Sequence, residues 1–522
     1  PELLTGLGLA VLTEDSVAHL GEIERPLRIV DQWTYHNRLY RAAQYVTSNK
    51  DLELVQLTSF GCGLDAVTSD QVQEILDAKN RMYTLIKIDE GSNLGAVRIR
   101  MRSLIAAIRE RDRNETELKS ETSSHQREVF SKDMKKKYTI LAPQMSPIHF
   151  RILQHAFEYS GFNLVILPDV DTKAVDTGLQ YVNNDACYPS IIVAGQMISA
   201  LKSGNYDLDR VALMITQTGG GCRATNYIGF IRRALADIGW AHIPVISLSA
   251  QSLEKNPGFR ITPALLHRSM MALMIGDLLM RVLYRTRPYE SVPGSANELY
   301  EKYNERAIEQ IKSLSISGYN RLVRDIVRDF DALPLRMVRK PRVGVVGEIL
   351  VKFHPTANND IFSVIEREGC ECVVPDLADF LFYSFINGVY KHKKLAFPKS
   401  SERNAHLLVW FLERYRAQMK KSLAASKRFT PPESIYHLQD LVDDIVQLGN
   451  MTGEGWFLTA EMVELIHSGV PSIACVQPFA CLPNHVTGKG MIKELRRRFP
   501  ESNIAAIDYD PGASEVNQLN RL

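Results

Sequence analysis

Seven cysteines are spread over the 522 residues, and three of them sit in segments whose composition suggests chemistry. The first segment is Thr216-Gln217-Thr218-Gly219-Gly220-Gly221-Cys222-Arg223-Ala224-Thr225-Asn226-Tyr227. An apolar run over 211–215 precedes it, and Ile228, Ile231, Leu235 and Ile238 follow at helical spacing. This pattern predicts a buried strand, a glycine turn through Gly219, Gly220 and Gly221, and a helix. Backbone N–H groups left free at such a turn favour an anion, and a thiolate or the negatively charged cluster it holds gains from that position. A tight turn with a small buried cysteine satisfies the same pattern.

Two other segments raise the same question. In Asn183-Asn184-Asp185-Ala186-Cys187-Tyr188-Pro189 the proline suits a first helical turn, which places Cys187 just ahead of a helix N-terminus. Pro478-Phe479-Ala480-Cys481-Leu482-Pro483-Asn484-His485 follows an apolar strand over 470–476. No CxxC pair occurs, so any metal site must be assembled from distant cysteines. Seven is too few, and odd, for a disulfide scaffold, which suggests a reducing, cytoplasmic setting.

The elements that must position these residues alternate strand and helix. Strands are predicted at 9–12, 52–57, 83–88, 138–141, 163–167, 211–215, 244–248, 343–349, 371–374, 470–476 and 503–507, with helices between them and a helix-rich stretch over 262–335. The expected fold is α/β, in two-lobed modules of doubly wound, mostly parallel sheets with helices on both faces. Residues 109–137 are almost wholly polar and read as a linker or exposed helix. Hydrophobic content of 45%, charged content of 23% and a net charge of +2 suit a globular chain with no bulk electrostatic pull toward nucleic acid or membrane. No apolar run approaches the roughly 18 residues of a membrane span. The start, Pro1-Glu2-Leu3-Leu4-Thr5, reads as though cut from within a fold, with further sequence expected upstream.

An internal repeat organises the cysteines. Phe60-Gly61-Cys62 with Val67-Thr68 matches Phe479-Ala480-Cys481 with Val486-Thr487, and Ile88-Asp89 matches Ile507-Asp508, each 419 positions on (62 and 481, 88 and 507). Gly8 to Leu12 lines up with Gly369 to Val373. The chain is thus divided into 1–110, the C-terminal lobe of an incomplete first copy; 111–137, a charged linker; 138–341, the N-terminal lobe and helical segment of a complete copy; and 342–522, its C-terminal lobe. In the complete copy Cys187, Cys222 and Cys481 all lie at strand ends or helix starts, the edge where open α/β sheets bind ligands. Three thiolates meeting there suit a [4Fe–4S] cube with one open iron, while three unrelated buried cysteines remain the alternative. Cys370, Cys372 and Cys475 read as core.

Together the three cysteine segments, and the ending Ile507-Asp508-Tyr509-Asp510-Pro511-Gly512-Ala513-Ser514-Glu515-Val516-Asn517, resemble the 2-hydroxyacyl-CoA dehydratase superfamily, in its long, fused, activase-related branch. The resemblance runs over nearly the whole chain. It implies Cys187, Cys222 and Cys481 as ligands of a cluster between the lobes, with Cys62 as the last ligand of the preceding copy. The cluster would be [4Fe–4S] or a double-cubane [8Fe–9S], reduced by an ATP-hydrolysing activase that is separate or fused upstream. Implied chemistry is reductive or radical, such as elimination of water from a 2-hydroxyacyl-CoA, making the chain a lyase or an ATP-dependent reductase component. A non-catalytic electron relay and a scaffold of the same fold are the alternatives, and modules would pair as a homo-oligomer or an intramolecular pseudo-dimer.

Around the cysteines, Glu348 and His485 are candidate acid–base groups, with helix capping as the plainer role for each. Arg223 and Asn226 are candidate hydrogen-bond donors to cluster sulfides or a substrate carbonyl. Gly453-Glu454-Gly455-Trp456 reads as a mobile loop able to cover a cleft. The glycine turn lacks the Lys-Ser/Thr pair of a phosphate-binding loop, so ATP hydrolysis is expected elsewhere.

Overall fold

A computed structural model describes residues 1–25, 27, 29–31, 33–59, 64–88, 94–114, 127–168, 172–217, 220–249 and 254–512. Every strand pairing is parallel, as expected of an α/β fold whose strands are joined by helical crossovers. In the first unit β1 (Leu54–Ser59) pairs with β2 (Tyr83–Ile88), around helices Thr34–Thr47, Leu64–Asp77 and Leu94–Asn114. The next sheet contains β3 (Thr139–Ala142), β4 (Asn163–Ile166), β5 (Val211–Thr216) and β6 (Val245–Leu248) in the order β4-β3-β5-β6. A third contains β7 (Arg342–Gly347), β8 (Glu371–Val373), β9 (Ser472–Pro478) and β10 (Asn503–Tyr509) in the order β10-β9-β7-β8.

The inner strands β5 and β9 are continuous apolar runs because both of their faces are covered. Helix Pro263–Thr286, capped by the Thr262 hydroxyl on the Leu265 N–H, is buried along most of its length and ties the two lobes together. Its Asp277 accepts from His149 Nε2 at 3.0 Å on one side and from the Leu377 and Ala378 N–H groups at 2.7 and 3.2 Å on the other. Its Arg281 pairs with Asp376, which also faces the buried Arg416.

The structure corrects three expectations. Residues 9–12 form no strand: their aligned counterpart β8 hydrogen-bonds only to β7, and the described residues of the first unit hold no equivalent of β7. The polar stretch 109–137 is exposed helix at its start, one of the two readings, but its described residues are not exposed throughout. Its start continues helix Leu94–Asn114, and near its end Phe130 is fully buried among Ile140, Phe157 and Phe162 while Arg127 pairs with Glu254 at 2.6 Å. Cys372 and Cys475 are core, but Cys370 is only half-buried, with Sγ 3.9 Å from the Glu368 carbonyl. Among the described residues no helix is long and apolar enough to cross a membrane.

Candidate functional site: three cysteine caps between two lobes

Three cysteines share one local geometry. Cys187 caps helix Tyr188–Lys202, Cys222 caps the 3-10 turn Arg223–Asn226 that runs into helix Tyr227–Ile238, and Cys481 caps helix Leu482–Thr487. All have extended backbone (φ/ψ of −66/147, −75/151 and −65/108°), and at Cys222 the Ala224 N–H of the turn faces the sulfur. Pro189 and Pro483 occupy the first turn of their helices, where a missing N–H costs nothing. Each sulfur therefore lies where the unpaired N–H groups of a helix start favour negative charge.

The fold joins these caps through neighbouring segments. Cys187 Sγ lies 2.7 Å from the Tyr227 hydroxyl, five residues past Cys222 in the adjoining turn. Loop residues 450–455 lie between the Cys222 turn and the Cys481 helix. A Cβ on Gly221 would come within 3.3 Å of Thr452 Oγ1, and one on Gly453 within 3.0 Å of Pro483 Cβ. Gly221 is thus a close-approach glycine, whereas Gly453 and Gly455 need their positive φ of 60 and 49°. Among the described residues no three His, Cys, Asp or Glu side chains converge on a single ion. A cube takes each thiolate on a different iron, which asks for a ring of ligands around a space rather than a point.

Two carboxylates lie beside these segments. Glu348 Oε2 accepts from Val351 N–H at 2.8 Å, the capping role anticipated for it, and Glu454 accepts from Ile349 N–H at 3.1 Å. Asn484, with its amide turned to suit both neighbours, donates to Glu454 at 2.7 Å and accepts from the Glu348 N–H at 2.9 Å. Burial first, and the Glu454 charge second, push Glu348 up to about 8. Burial likewise raises Glu454. Cys222 is pushed up to about 12 by burial, with the charges of Cys187 and Glu454 adding and the Ala224 N–H and Arg223 opposing. Tyr227 is raised well above the ordinary phenol range by burial and by Cys187. Positive charge beside these groups opposes the upward shifts, and a bound metal displaces protons from thiols. The donor set fits a thiolate-bound metal cluster.

Arg223 is buried, and its positive charge acts on both Cys222 and Glu348. Asn226 is buried, accepts from the Val30 N–H at 2.8 Å, and leaves its Nδ2 without a hydrogen-bond partner. His485 turns to its own helix, with Nδ1 2.9 Å from the Cys481 carbonyl. Gly220 and Gly221 form the exposed and half-buried part of the turn, whereas Gly219 and Cys62 lie outside the described residues. The 453–456 segment is no exposed flap: Glu454 and Trp456 are buried, and the Trp456 indole donates to Asn387 at 2.9 Å.

Sequence reasoning gave no role to Tyr227, to the Glu454 carboxylate or to the Asn484 amide. A glutamate between two glycines carried a usable signal, because glycines at positive φ let a loop fold a carboxylate inward. Sequence reasoning also missed the buried pair Lys352–Glu461 (2.8 Å). Compared with known proteins, the chain matches no protein-family model and no curated protein sequence.

Proposed function

We propose that this chain is an iron–sulfur redox protein of the kind its motifs resemble, holding a [4Fe–4S] or double-cubane cluster through Cys187, Cys222 and Cys481. The observation that carries the reading is the threefold recurrence of a cysteine at a helix start, with the Cys187 and Cys222 segments adjoining through Tyr227 and one loop joining the Cys222 turn to the Cys481 helix. The buried Arg223 and the unpartnered Asn226 amide support it, since an anionic cluster needs both compensating charge and donors to its sulfides.

When bound, such a cluster supplies one-electron transfer and a Lewis-acidic iron. The chain's own residues would bind and orient it. Helix-start N–H groups would offset thiolate charge, Tyr227 would hold a proton beside Cys187, and Glu454, whose charge acts on Cys222, and its neighbour Glu348 would be the candidate proton carriers. Low-potential electrons would come from an ATP-hydrolysing activase, and a 2-hydroxyacyl-CoA is the substrate class the motifs suggest, in a reducing cytoplasm.

The test is anaerobic reconstitution followed by iron and acid-labile sulfide analysis and EPR of the dithionite-reduced protein. Cys187→Ala, Cys222→Ala and Cys481→Ala are each expected to lose the cluster signal, while Cys475→Ala, in the core of β9, keeps it. Full iron and sulfide content in Cys222→Ala overturns the assignment.

A further inference from the structure

The cysteine cleft is not built by the two lobes alone, because the first unit reaches into it. Val30 N–H donates to Asn226 Oδ1, a contact spanning 196 positions, four residues past Cys222. Trp33 stands beside the Cys222 turn, with Nε1 3.9 Å from where a Cβ on Gly221 would lie. Thr452 of the C-terminal lobe and Trp33 of the first unit thus both pack against the turn at Gly221. Ile29 and Trp33 both pack against the main core, and the Trp33 ring meets His36 edge-on at 5.5 Å, so the indole is braced from behind.

The Cys187 loop is pinned in the same way. Lys87 Nζ lies 2.6 Å from the Asp185 carboxylate, two residues before Cys187. Asn183 donates to Asp70 at 2.8 Å, and Arg233 on helix Tyr227–Ile238 meets Asp70 at 3.3 Å. Exposed ion pairs such as Lys87–Asp185 contribute little alone. Trp33, which fills space and excludes water over the turn, carries more.

We infer that the first unit positions the N-terminal-lobe cysteines, with Trp33 as the wall that closes the Cys222 turn. Its importance to cluster binding rests on the function proposed above, but the wall itself is testable without iron. In the iron-free full chain, iodoacetamide labelling mapped by peptide mass spectrometry reads each cysteine separately. Trp33→Ala is expected to raise the Cys222 labelling rate about tenfold, because local opening there no longer displaces a packed ring. Cys372 and Cys475 should stay unreactive, and Trp33→Phe, which restores the bulk, should restore protection. Unchanged Cys222 labelling in Trp33→Ala overturns the inference. If that variant unfolds, as labelling of Cys372 and Cys475 would show, the milder Trp33→Leu decides: faster Cys222 labelling supports the inference and an unchanged rate overturns it. Protection that follows the inference in a chain that never takes up iron would sink the proposed function and leave the wall standing.

Discussion

Strands β1 and β9 begin from aligned sequence and end in different surroundings. Each pairs in parallel with the strand that follows its cysteine turn and helix, β1 with β2 and β9 with β10. The registers differ by two residues: Ser59 faces Ile88, whereas the aligned Pro478 faces Tyr509 rather than Ile507. A shift of two keeps every side chain on its face, so the pleat tolerates it. What differs is the other edge. β9 continues into β7, whereas β1 pairs with β2 alone among the described strands. Leu57 is accordingly 61% exposed and its aligned partner Val476 0% exposed. Aligned residues inherit a local conformation, but their burial is conferred by neighbouring strands and helices.

The β7 edge is therefore where the comparison breaks most sharply. Gly347 ends β7 with φ of 144°, and a Cβ there would sit 1.7 Å from the Val476 carbonyl oxygen. No side chain can yield, because the obstacle is backbone. Gly347→Ala is expected to cost more than about 4 kcal/mol and to open the β7–β9 seam beside Glu348. Hydrogen exchange should show lost protection in β9 with β1 and β2 unchanged. Equal loss in both would mean the two units fold as one.

Burial gives the next largest contrast. Val476→Asp places an unpaired charge in the core and is expected to cost about 4 kcal/mol, whereas Leu57→Asp should stay within about 1 kcal/mol. Urea denaturation of the two variants side by side measures the difference. A large cost at Leu57 would show that its face is covered in solution.

These contrasts also mark what was legible in the amino-acid order. β5 and the Cys222 turn were legible because a short apolar run, glycines and a helical repeat are local signals. The shared capping geometry of Cys187, Cys222 and Cys481 followed for the same reason. Residues 9–12 were misjudged because an apolar tetrad becomes a strand only with a partner to bond. Phe130 was hidden in a polar stretch, since a single aromatic anchor carries no periodicity. The 450–455 loop is placed by contacts with Pro483 and Gly221, and the first unit reaches the Cys222 turn through a contact spanning 196 positions, beyond what any window of sequence reports.

Charge burial separates the C-terminal lobe in a further way. Glu461 is pushed up to about 7 by burial, although its partner Lys352 opposes the shift, and its Oε2 has no hydrogen-bond partner. A carboxyl raised in the folded state binds more protons there than when unfolded. Its contribution is thus complete below the ordinary value of 4.5 and declines as pH rises toward about 7. Glu461→Gln should flatten the fall in stability across that window, measured as the denaturation midpoint against pH. An unaltered slope would assign the decline to other carboxyls, such as Glu464, which is raised by burial to a similar value.

The smallest effect tests the turn before Cys481. Ala480 holds φ of 57°, a left-handed conformation, and the residue aligned with it in sequence is Gly61. Ala480→Gly relieves about 1 kcal/mol of Cβ strain but frees the unfolded chain by about 0.4–1 kcal/mol, so stability should rise by no more than about 0.5 kcal/mol. The informative readout is Cys481 labelling rather than stability. The Cys481 N–H bonds to the Pro478 carbonyl at 3.1 Å across this turn, and glycine widens the backbone wells that hold it. Faster Cys481 labelling at near-constant stability would show that the alanine trades strain for a sulfur held in place. Unchanged labelling would make Ala480 and Gly61 interchangeable at this turn.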